Sequence, residues 1–366
     1  MPYEGAGCRY RVSQYTPYLA AHGIDLEVAP FYTPEFFDLV YRPGHYVRKT
    51  LLFLRQAAAR LATALRRRRY DLVFLYREAM PIGPPVIESM LAATGVPLVY
   101  DFDDAVFLPN TSDANRAIAA LKFPGKTGAI IRRCHEVIAG NEYLASYARR
   151  FNRSVHVIPT AVDVDRFVPR LAPRPTGAPL VIGWNGTPTT AAYLDPLRPI
   201  LDGLRGAAAF RFRVAGAGAG LSFGAAEIEI APWSLGREVE LFNTCDIGVY
   251  PLPDDEWARG KCGFKAIQFM ACGVPVVASP VGVNREIVQH GVNGFLASTA
   301  EEWHGALSRL MEDADLRARI GAAGRRTIQE RYALHVTAPR VAAVFSRALE
   351  RAGHAGALVH APGGHS

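Results

Sequence analysis

Lys261 and Lys265 stand within one five-residue window of a chain of 366 residues that holds five lysines and 36 arginines. Arginine is a planar fork and lysine a compact point charge, so a chain that uses lysine this sparingly marks the window as a candidate site. The segment GKCGFK (260–265) reads as a glycine-bearing loop entering a helix near Gly263. A helix start carries partial positive charge, and with two ammonium groups beside Gly263 and Phe264 it suits a phosphate. Gln268, about one turn further on, is placed to hydrogen-bond a sugar hydroxyl. The same residues also make an ordinary amphipathic helix with a lysine-rich entrance. GWNGTPTTAAYL (183–194) offers a second helix start. Thr187 suits the N-cap and Pro188 the first helical position, while Asn185, Gly186 and Thr190 can donate to phosphate oxygens. A well-capped helix and nothing more is the plainer reading of that stretch.

A different chemistry is concentrated in LVYDFDDAVFL (98–108), which ends a strand with Asp101, Asp103 and Asp104. Carboxylates this close repel one another and demand partners. They would bind sugar hydroxyls, bind an acceptor, or pair structurally with Arg9, Arg11 or Arg77; an aspartate pair also fits a divalent cation.

The elements that must position these groups are legible as short β-branched runs alternating with helical patterns. Strands are expected at Ile24–Val28, Asp71–Tyr76, Pro97–Phe102, Glu136–Ala139 and Val155–Ile158. A second series follows at Leu180–Trp184, Phe210–Val214, Ala226–Ile230, Asp246–Tyr250, Pro275–Ala278 and Gly294–Leu296. Helices are expected at Tyr10–Ala21, Pro85–Ala93, Ala191–Leu204 and Glu301–Met311, and from Gly263 to Cys272–Gly273. Such alternation indicates βαβ units with parallel sheets buried on both faces. DVDRFVPRLAPRPTGAP (163–179) carries four prolines between the two series and reads as an interdomain linker. The expected fold is therefore α/β, two Rossmann-like doubly wound parallel-sheet domains facing across a cleft, with ligands at the carboxyl ends of the strands. A glycine turn (Gly5, Gly7) and a helix open the chain with no strand before them. A doubly wound sheet normally has its first strand there, so an apolar segment of about six residues is expected upstream of Met1.

Composition narrows the class. Apolar residues are 49% and charged residues 20%, which excludes a disordered, collagenous or coiled-coil chain. The net charge of +7 suits phosphorylated ligands or an anionic surface. Nucleic acid is not expected, because no basic stripe is interleaved with aromatics. The five cysteines are scattered, with no zinc spacing, and read as small apolar core residues, a catalytic thiol being the weaker alternative. No stretch of 18 apolar residues and no targeting pattern is visible. RVAGAGAG (213–220) imitates a dinucleotide fingerprint, but Leu221 occupies the third glycine position and the stretch reads as a loop. RQAAARLATALRRRRY (55–70) is a basic helix, either a solvated face or a contact for anionic lipid.

GKCGFKAIQFMACGVPVVASPVGVNREIVQHGVNGFLA (260–297) resembles the nucleotide-sugar site of glycosyltransferase family 4, retaining enzymes of the GT-B architecture. MACGVPVVAS (270–279), Val281–Gly282, Glu286–Ile287 and NGFLA (293–297) keep that family's pattern. The Glu-x7-Glu pair is absent: its positions fall on Gly260 and Gln268, as in a divergent branch carrying GKCGFK in that loop. At 183–194, where relatives often present an Arg and a Lys to the diphosphate, neither is present, and Lys261 and Lys265 stand in for them. The resemblance covers nearly all of residues 5–335. It places Asp103 where many relatives have a histidine near the acceptor hydroxyl, with Asp104 matching an aspartate that often follows. Gly7, Arg9 and Arg11 resemble the acceptor-side glycine loop, and Asn141 and Glu142 follow a strand at the cleft edge.

The resemblance implies an acceptor-binding domain over 1–165, a linker over 166–178, and a nucleotide-sugar-binding domain over 179–335. It also implies a helix near Val336–Arg351, within 336–366, that crosses back onto the first domain. The implied function is transfer of a sugar from a nucleoside diphosphate donor to an acceptor hydroxyl, with retention, in polysaccharide or glycolipid synthesis. Neither metal nor cofactor is implied, the acceptor being a sugar or a polyprenyl-linked sugar, and the location cytoplasmic or peripheral on the inner membrane face. A nucleotide-sugar epimerase of the same fold and an inactive nucleotide-sugar-binding relative stay open as alternatives.

Overall fold

Runs such as VFLY (73–76), LVYDF (98–102) and LVIGWN (180–185) are apolar without alternation, the pattern of strands covered on both faces. The computed structural model describes residues 2–353 apart from 4, 41, 43, 66–69, 109–122, 124, 172–173, 175–176, 205–208 and 219–227. It folds these runs into two parallel sheets, one in each of two units. The first unit holds residues up to Thr160 and from His335 on; the second holds Ala161–Leu334.

In the first unit, β1 (Val73–Tyr76), β2 (Leu98–Phe102), β3 (Glu136–Ala139) and β4 (Val155–Val157) pair in sequence order, all parallel. The helix Leu334–Arg351 lies against this sheet from His335 onward. Phe345 packs on Phe74 with ring centroids 5.1 Å apart, and Arg340 donates to the Val157 carbonyl at 2.6 Å. Near its end Arg351 reaches the fully buried Glu136 carboxylate at 3.1 Å. The N-terminal helix Ala6–Arg11 is held by Arg11, itself buried. Its Nη2 donates to both Asp101 oxygens at 2.8 and 3.0 Å, its Nε to Oδ1 at 3.0 Å, and its Nη1 to the Ile158 carbonyl at 3.0 Å. One side chain thus ties the first helix to β2 and to the chain just past β4.

In the second unit the strands are β5 (Leu180–Asn185), β6 (Phe210–Ala215), β7 (Ile228–Ala231), β8 (Ile247–Tyr250), β9 (Val276–Ala278) and β10 (Phe295–Leu296). Their order in the sheet is β10-β9-β8-β5-β6-β7, parallel throughout. The chain winds outward from β5 through β6 and β7, then resumes on the other side of β5 with β8. The core on this sheet joins Ile182, Trp184, Phe212, Val214, Ile247 and Phe295 to the helix residues Trp303, Leu307 and Leu310.

Four expectations need correction. Ile24–Val28 has no regular secondary structure; it and the edge strand β1 both line a cavity of about 530 Å³, and no ladder joins them. The expected Tyr10–Ala21 helix is two helices, Ala6–Arg11 and Thr16–Ala21, joined by a 3-10 turn at Ser13–Tyr15. Residues 188–197 form a 3-10 helix, followed by an α-helix at Arg198–Gly203; Pro196 removes a donor inside the segment. The stretch read as a linker is pinned to the second unit. Phe167 packs on Phe242 at 6.0 Å, and Arg325 donates to the Phe167 and Val164 carbonyls at 2.7 and 3.1 Å. Arg170 and Arg174 reach Asp246 at 3.5 and 3.6 Å. Residues 66–69 of the basic helix, 219–221 of the glycine-rich loop, 172–173 and 175–176 of the proline-rich stretch, and the tail from 354 lie outside the described residues.

Breaking a buried ion pair from one side strands a charge. Arg11→Met is expected to lower the stability of the first unit by about 3–5 kcal/mol, and Arg11→Met/Asp101→Asn to recover part of that, in urea titrations followed by circular dichroism.

Candidate functional site

Parallel sheets bind ligands at the carboxyl ends of neighbouring strands between which the winding reverses. In the second unit those strands are β5 and β8, paired through Ile182–Ile247 and Gly183–Gly248. Asn185 is the last residue of β5, and Gly186, Thr187 and Thr190 follow it directly. The segment after β8 leads through the short helix Glu256–Arg259 to Gly260, Lys261 and Gly263. The donor-side residues singled out in the sequence therefore emerge from one edge of one sheet.

Thr187 is the N-cap of the 3-10 helix. Its backbone N–H donates to the Thr190 Oγ1 at 3.0 Å, and the reciprocal contact completes a capping box. Asn185 is buried, yet its Nδ2 has no hydrogen-bond partner in the structure. A buried donor left open costs free energy unless something is there to accept from it. Across the strand pair, Ser279 Oγ accepts from the Leu252 N–H at 2.9 Å and ties the β8 loop to the end of β9. Gly263 caps the helix Phe264–Ala271 in the left-handed region at φ +65°, and a Cβ there would lie 2.3 Å from Ile287 Cδ1. Glycine is required on both counts. Asn284, behind it, donates to the Ser279 carbonyl at 2.9 Å, while its buried Oδ1 is without a hydrogen-bond partner. No signal in the sequence singled out Asn284.

The two lysines are half-buried and oriented by aromatic faces. Lys261 Nζ lies 5.9 Å from the Trp257 ring centroid, and Lys265 Nζ lies 5.5 Å from Phe242 and 5.9 Å from Phe264. Lys265 also donates to the Gln268 Oε1 at 3.1 Å. Gln268, expected to meet a sugar hydroxyl, is fully buried and in this structure accepts from Lys265. All five cysteines are buried, and burial pushes the Cys245 and Cys272 thiols up to about 12. Cys245 and Cys272 are therefore poor nucleophiles, and none of the five thiols is exposed to a substrate, which disfavours the thiol alternative.

In the first unit the three carboxylates are each held by an arginine. Asp101 belongs to Arg11, and burial, only partly offset by that arginine, lifts its pKa to about 6. Arg77 follows β1 at φ +61°, a strained conformation for a residue with a side chain. Its guanidinium donates to Asp103 Oδ1 at 2.7 and 3.1 Å and to Asp104 Oδ2 at 2.5 Å, and the Tyr76 hydroxyl donates to Asp103 at 2.8 Å. Burial opposes ionisation of Asp103, but Arg77, Arg11 and Tyr76 together hold its pKa below the ordinary carboxylate value. Gly7 makes this possible, since a Cβ there would lie 2.1 Å from the Tyr76 Oη. Among the described residues no group of three His, Cys, Asp or Glu side chains is arranged to hold a metal ion.

The other acceptor-side residues are committed to structure. Arg11 is spent on Asp101 and Ile158, so it does not present its guanidinium to a ligand. Arg9 is buried, donates to the Tyr3 carbonyl at 3.1 Å and lies 4.9 Å from the Tyr10 ring. Asn141 caps the helix Glu142–Ala148, its Oδ1 accepting from the Leu144 N–H at 2.9 Å, and exposed Glu142 pairs with Arg149.

Two family models match. One, described as Glycosyltransferase Family 4, covers residues 7–166, and the other, Glycosyl transferases group 1, covers residues 197–313. A D-inositol 3-phosphate glycosyltransferase of Xylanimonas cellulosilytica is 27% identical over 277 residues, 65% of this chain and 64% of that protein. Its counterpart in Thermobispora bispora is 33% identical over 125 residues, 34% of this chain and 26% of that protein. The chain thus matches less than two thirds of the length of either relative. Among solved structures, sucrose-phosphate synthase from Thermosynechococcus elongatus aligns with a TM-score of 0.59 at 16% identity, over 90% of this chain and 83% of that one. Anabaena HepE in complex with UDP-glucose aligns at 0.58 and 17%, over 91% and 89%.

Because Asp103 is more acidic in the fold than in the unfolded chain, its contribution is present above about pH 4 and is lost as the pH falls through its lowered folded pKa. The stability gap between the native chain and Asp103→Asn, measured by urea titration, is expected to be about 2 kcal/mol from pH 5 to 8 and to close below pH 4. A gap that widens on acidification would contradict this assignment.

Proposed function

The chain belongs to glycosyltransferase family 4, the group 1 enzymes of GT-B architecture, and from that premise we propose that it transfers a sugar from a nucleoside diphosphate donor to an acceptor hydroxyl. The observation that carries this reading is the edge shared by β5 and β8. Asn185 ends β5 with a buried, unsatisfied donor, and the segment that follows the neighbouring β8 carries the half-buried Lys261 and Lys265, which supports a ligand at that edge. A diphosphate supplies the missing acceptor for Asn185 and the anion for Lys261 and Lys265. Gly186, Thr187 and Thr190 on one side and Gly263 and Phe264 on the other complete its surroundings.

In the transfer, the bond from the anomeric carbon to the donor phosphate oxygen breaks and a bond to the acceptor oxygen forms. Charge accumulates on the departing diphosphate, where fixed cations stabilise the transition state more than the ground state. In the retaining course proposed here the acceptor approaches the same face, and its proton passes to the leaving phosphate oxygen. No resident cofactor is invoked. Asp103 and Asp104, on the first unit, are assigned to sugar or acceptor hydroxyls. Asp103, ionised with a lowered pKa, is a good hydrogen-bond acceptor and a weak general base, so it orients a hydroxyl and does not deprotonate it. The product is assigned to polysaccharide or glycolipid synthesis on the cytoplasmic side, with a sugar or polyprenyl-linked acceptor.

Donor screening with nucleoside diphosphate sugars, followed by product analysis, tests the proposal. Lys261→Ala and Lys265→Ala are each expected to lower kcat by about a hundredfold or more with unchanged thermal unfolding. Unaltered kinetics in both variants would remove the phosphate site. Formation of an epimer from donor alone, or binding of donor with transfer to no acceptor, would overturn the assignment as a transferase.

A further inference from the structure

The helix Tyr46–Leu65 is packed on one side only. Toward the first unit, Phe53 meets Phe31 with ring centroids 5.5 Å apart, Ala64 is buried, and Arg60 donates to the Ala29 carbonyl at 2.5 Å. The opposite side is apolar and open. Val47 is 77% exposed, Leu51 63%, Leu54 57%, Leu61 39% and Leu65 60%. With exposed Ala58 these residues are spaced by alternating fours and threes, which on an α-helix confines them to an arc of about 80°. A stripe of apolar side chains running almost the whole length of a twenty-residue helix costs free energy in water unless something covers it.

Charge says what that cover is. Between Leu39 and Tyr70 the sequence carries nine Lys and Arg residues and no Asp or Glu. Arg48 and Arg55 border the stripe, and Arg66–Arg69 follow its last leucine in the sequence. Among the described residues, Glu35 accepts from Arg48 at 2.6 Å on the exposed surface, and the buried Glu88 acts on Arg60 from the packed side, away from the stripe. A second copy of the chain would bring two such cationic bands together, which like-charge repulsion opposes. Charged residues interrupt the helix, and no described helix is long and apolar enough to cross a membrane. We propose that the face formed by Val47, Leu51, Leu54, Leu61 and Leu65 is a docking surface for an anionic lipid bilayer, with the helix lying in the interfacial plane and its arginines against the headgroups. This inference stands apart from the transfer reaction and holds whether or not that assignment does.

Vesicle flotation of the full chain tests it, using phosphatidylcholine alone and phosphatidylcholine with about 30% phosphatidylglycerol. The chain is expected to float with the anionic vesicles and stay behind with the neutral ones. Leu51→Gln/Leu54→Gln is expected to weaken partitioning by about tenfold or more with the thermal transition unchanged. Should that variant fail to fold, Val47→Gln, at the most exposed position of the stripe, carries the same expectation of weaker flotation. Equal recovery with both vesicles would overturn the proposal. So would flotation that survives the leucine substitutions, which would make the contact purely electrostatic. Self-association in sedimentation that the leucine substitutions abolish, without flotation, would assign the face to a second copy instead.

Discussion

A multiply charged anion can be held in a protein only where opposite charge is kept partly out of water and donors are left open to receive it. In the second unit both conditions are met at the edge where β5 and β8 end side by side. β5 supplies a buried amide with nothing to donate to. The loop after β8 supplies two half-buried ammonium groups, each beside aromatic rings. This depends on Gly263, whose left-handed backbone and contact with Ile287 admit no side chain, and so on the packing of 284–287 against the loop. Lysine suits this position better than arginine: a compact charge at the end of a flexible stem can follow a leaving group as its charge grows.

The first unit uses the other cation for the other task. Arg11 and Arg77 are planar forks, and each is spent on carboxylates that would otherwise repel one another. Arg11 welds the N-terminal helix to β2. Arg77, in a strained conformation at the end of β1, holds both Asp103 and Asp104 in position and favours the ionised form of Asp103. Strain of this kind persists where the surroundings over-determine it, and here the Tyr76 hydroxyl, Gly7 and two aspartates do so.

Much of this was readable in the sequence because parallel strands are short apolar runs closed by Gly, Pro or Asp. β3 falls on the expected residues, and the other nine strands lie within two residues of expectation. The helix start at Gly263 and the cap at Thr187 were legible for the same reason: local rules decide them. What failed depends on partners distant in sequence. Ile24–Val28 has a strand's composition, but a strand exists only beside another. The prolines of 169–179 signalled stiffness but could not show that Phe167, Arg170 and Arg174 fasten that stretch to the second unit. Arg77 was one of three candidate partners for the aspartates, and only the pairing of β1 with β2 brings it to Asp103. Gln268 keeps its expected place on the helix, but its burial and its bond to Lys265 were not legible, because they depend on how the helix packs.

The central claim is that the second unit recognises a diphosphate. Calorimetric titration of uridine and guanosine diphosphates beside the corresponding nucleosides, on the native chain and on Lys261→Ala/Lys265→Ala, measures this directly. The account predicts that one diphosphate binds at least about a hundredfold more tightly than its nucleoside, and that most of this difference disappears in the double variant. Equal affinity for diphosphate and nucleoside, or a diphosphate preference untouched by loss of both lysines, would contradict it.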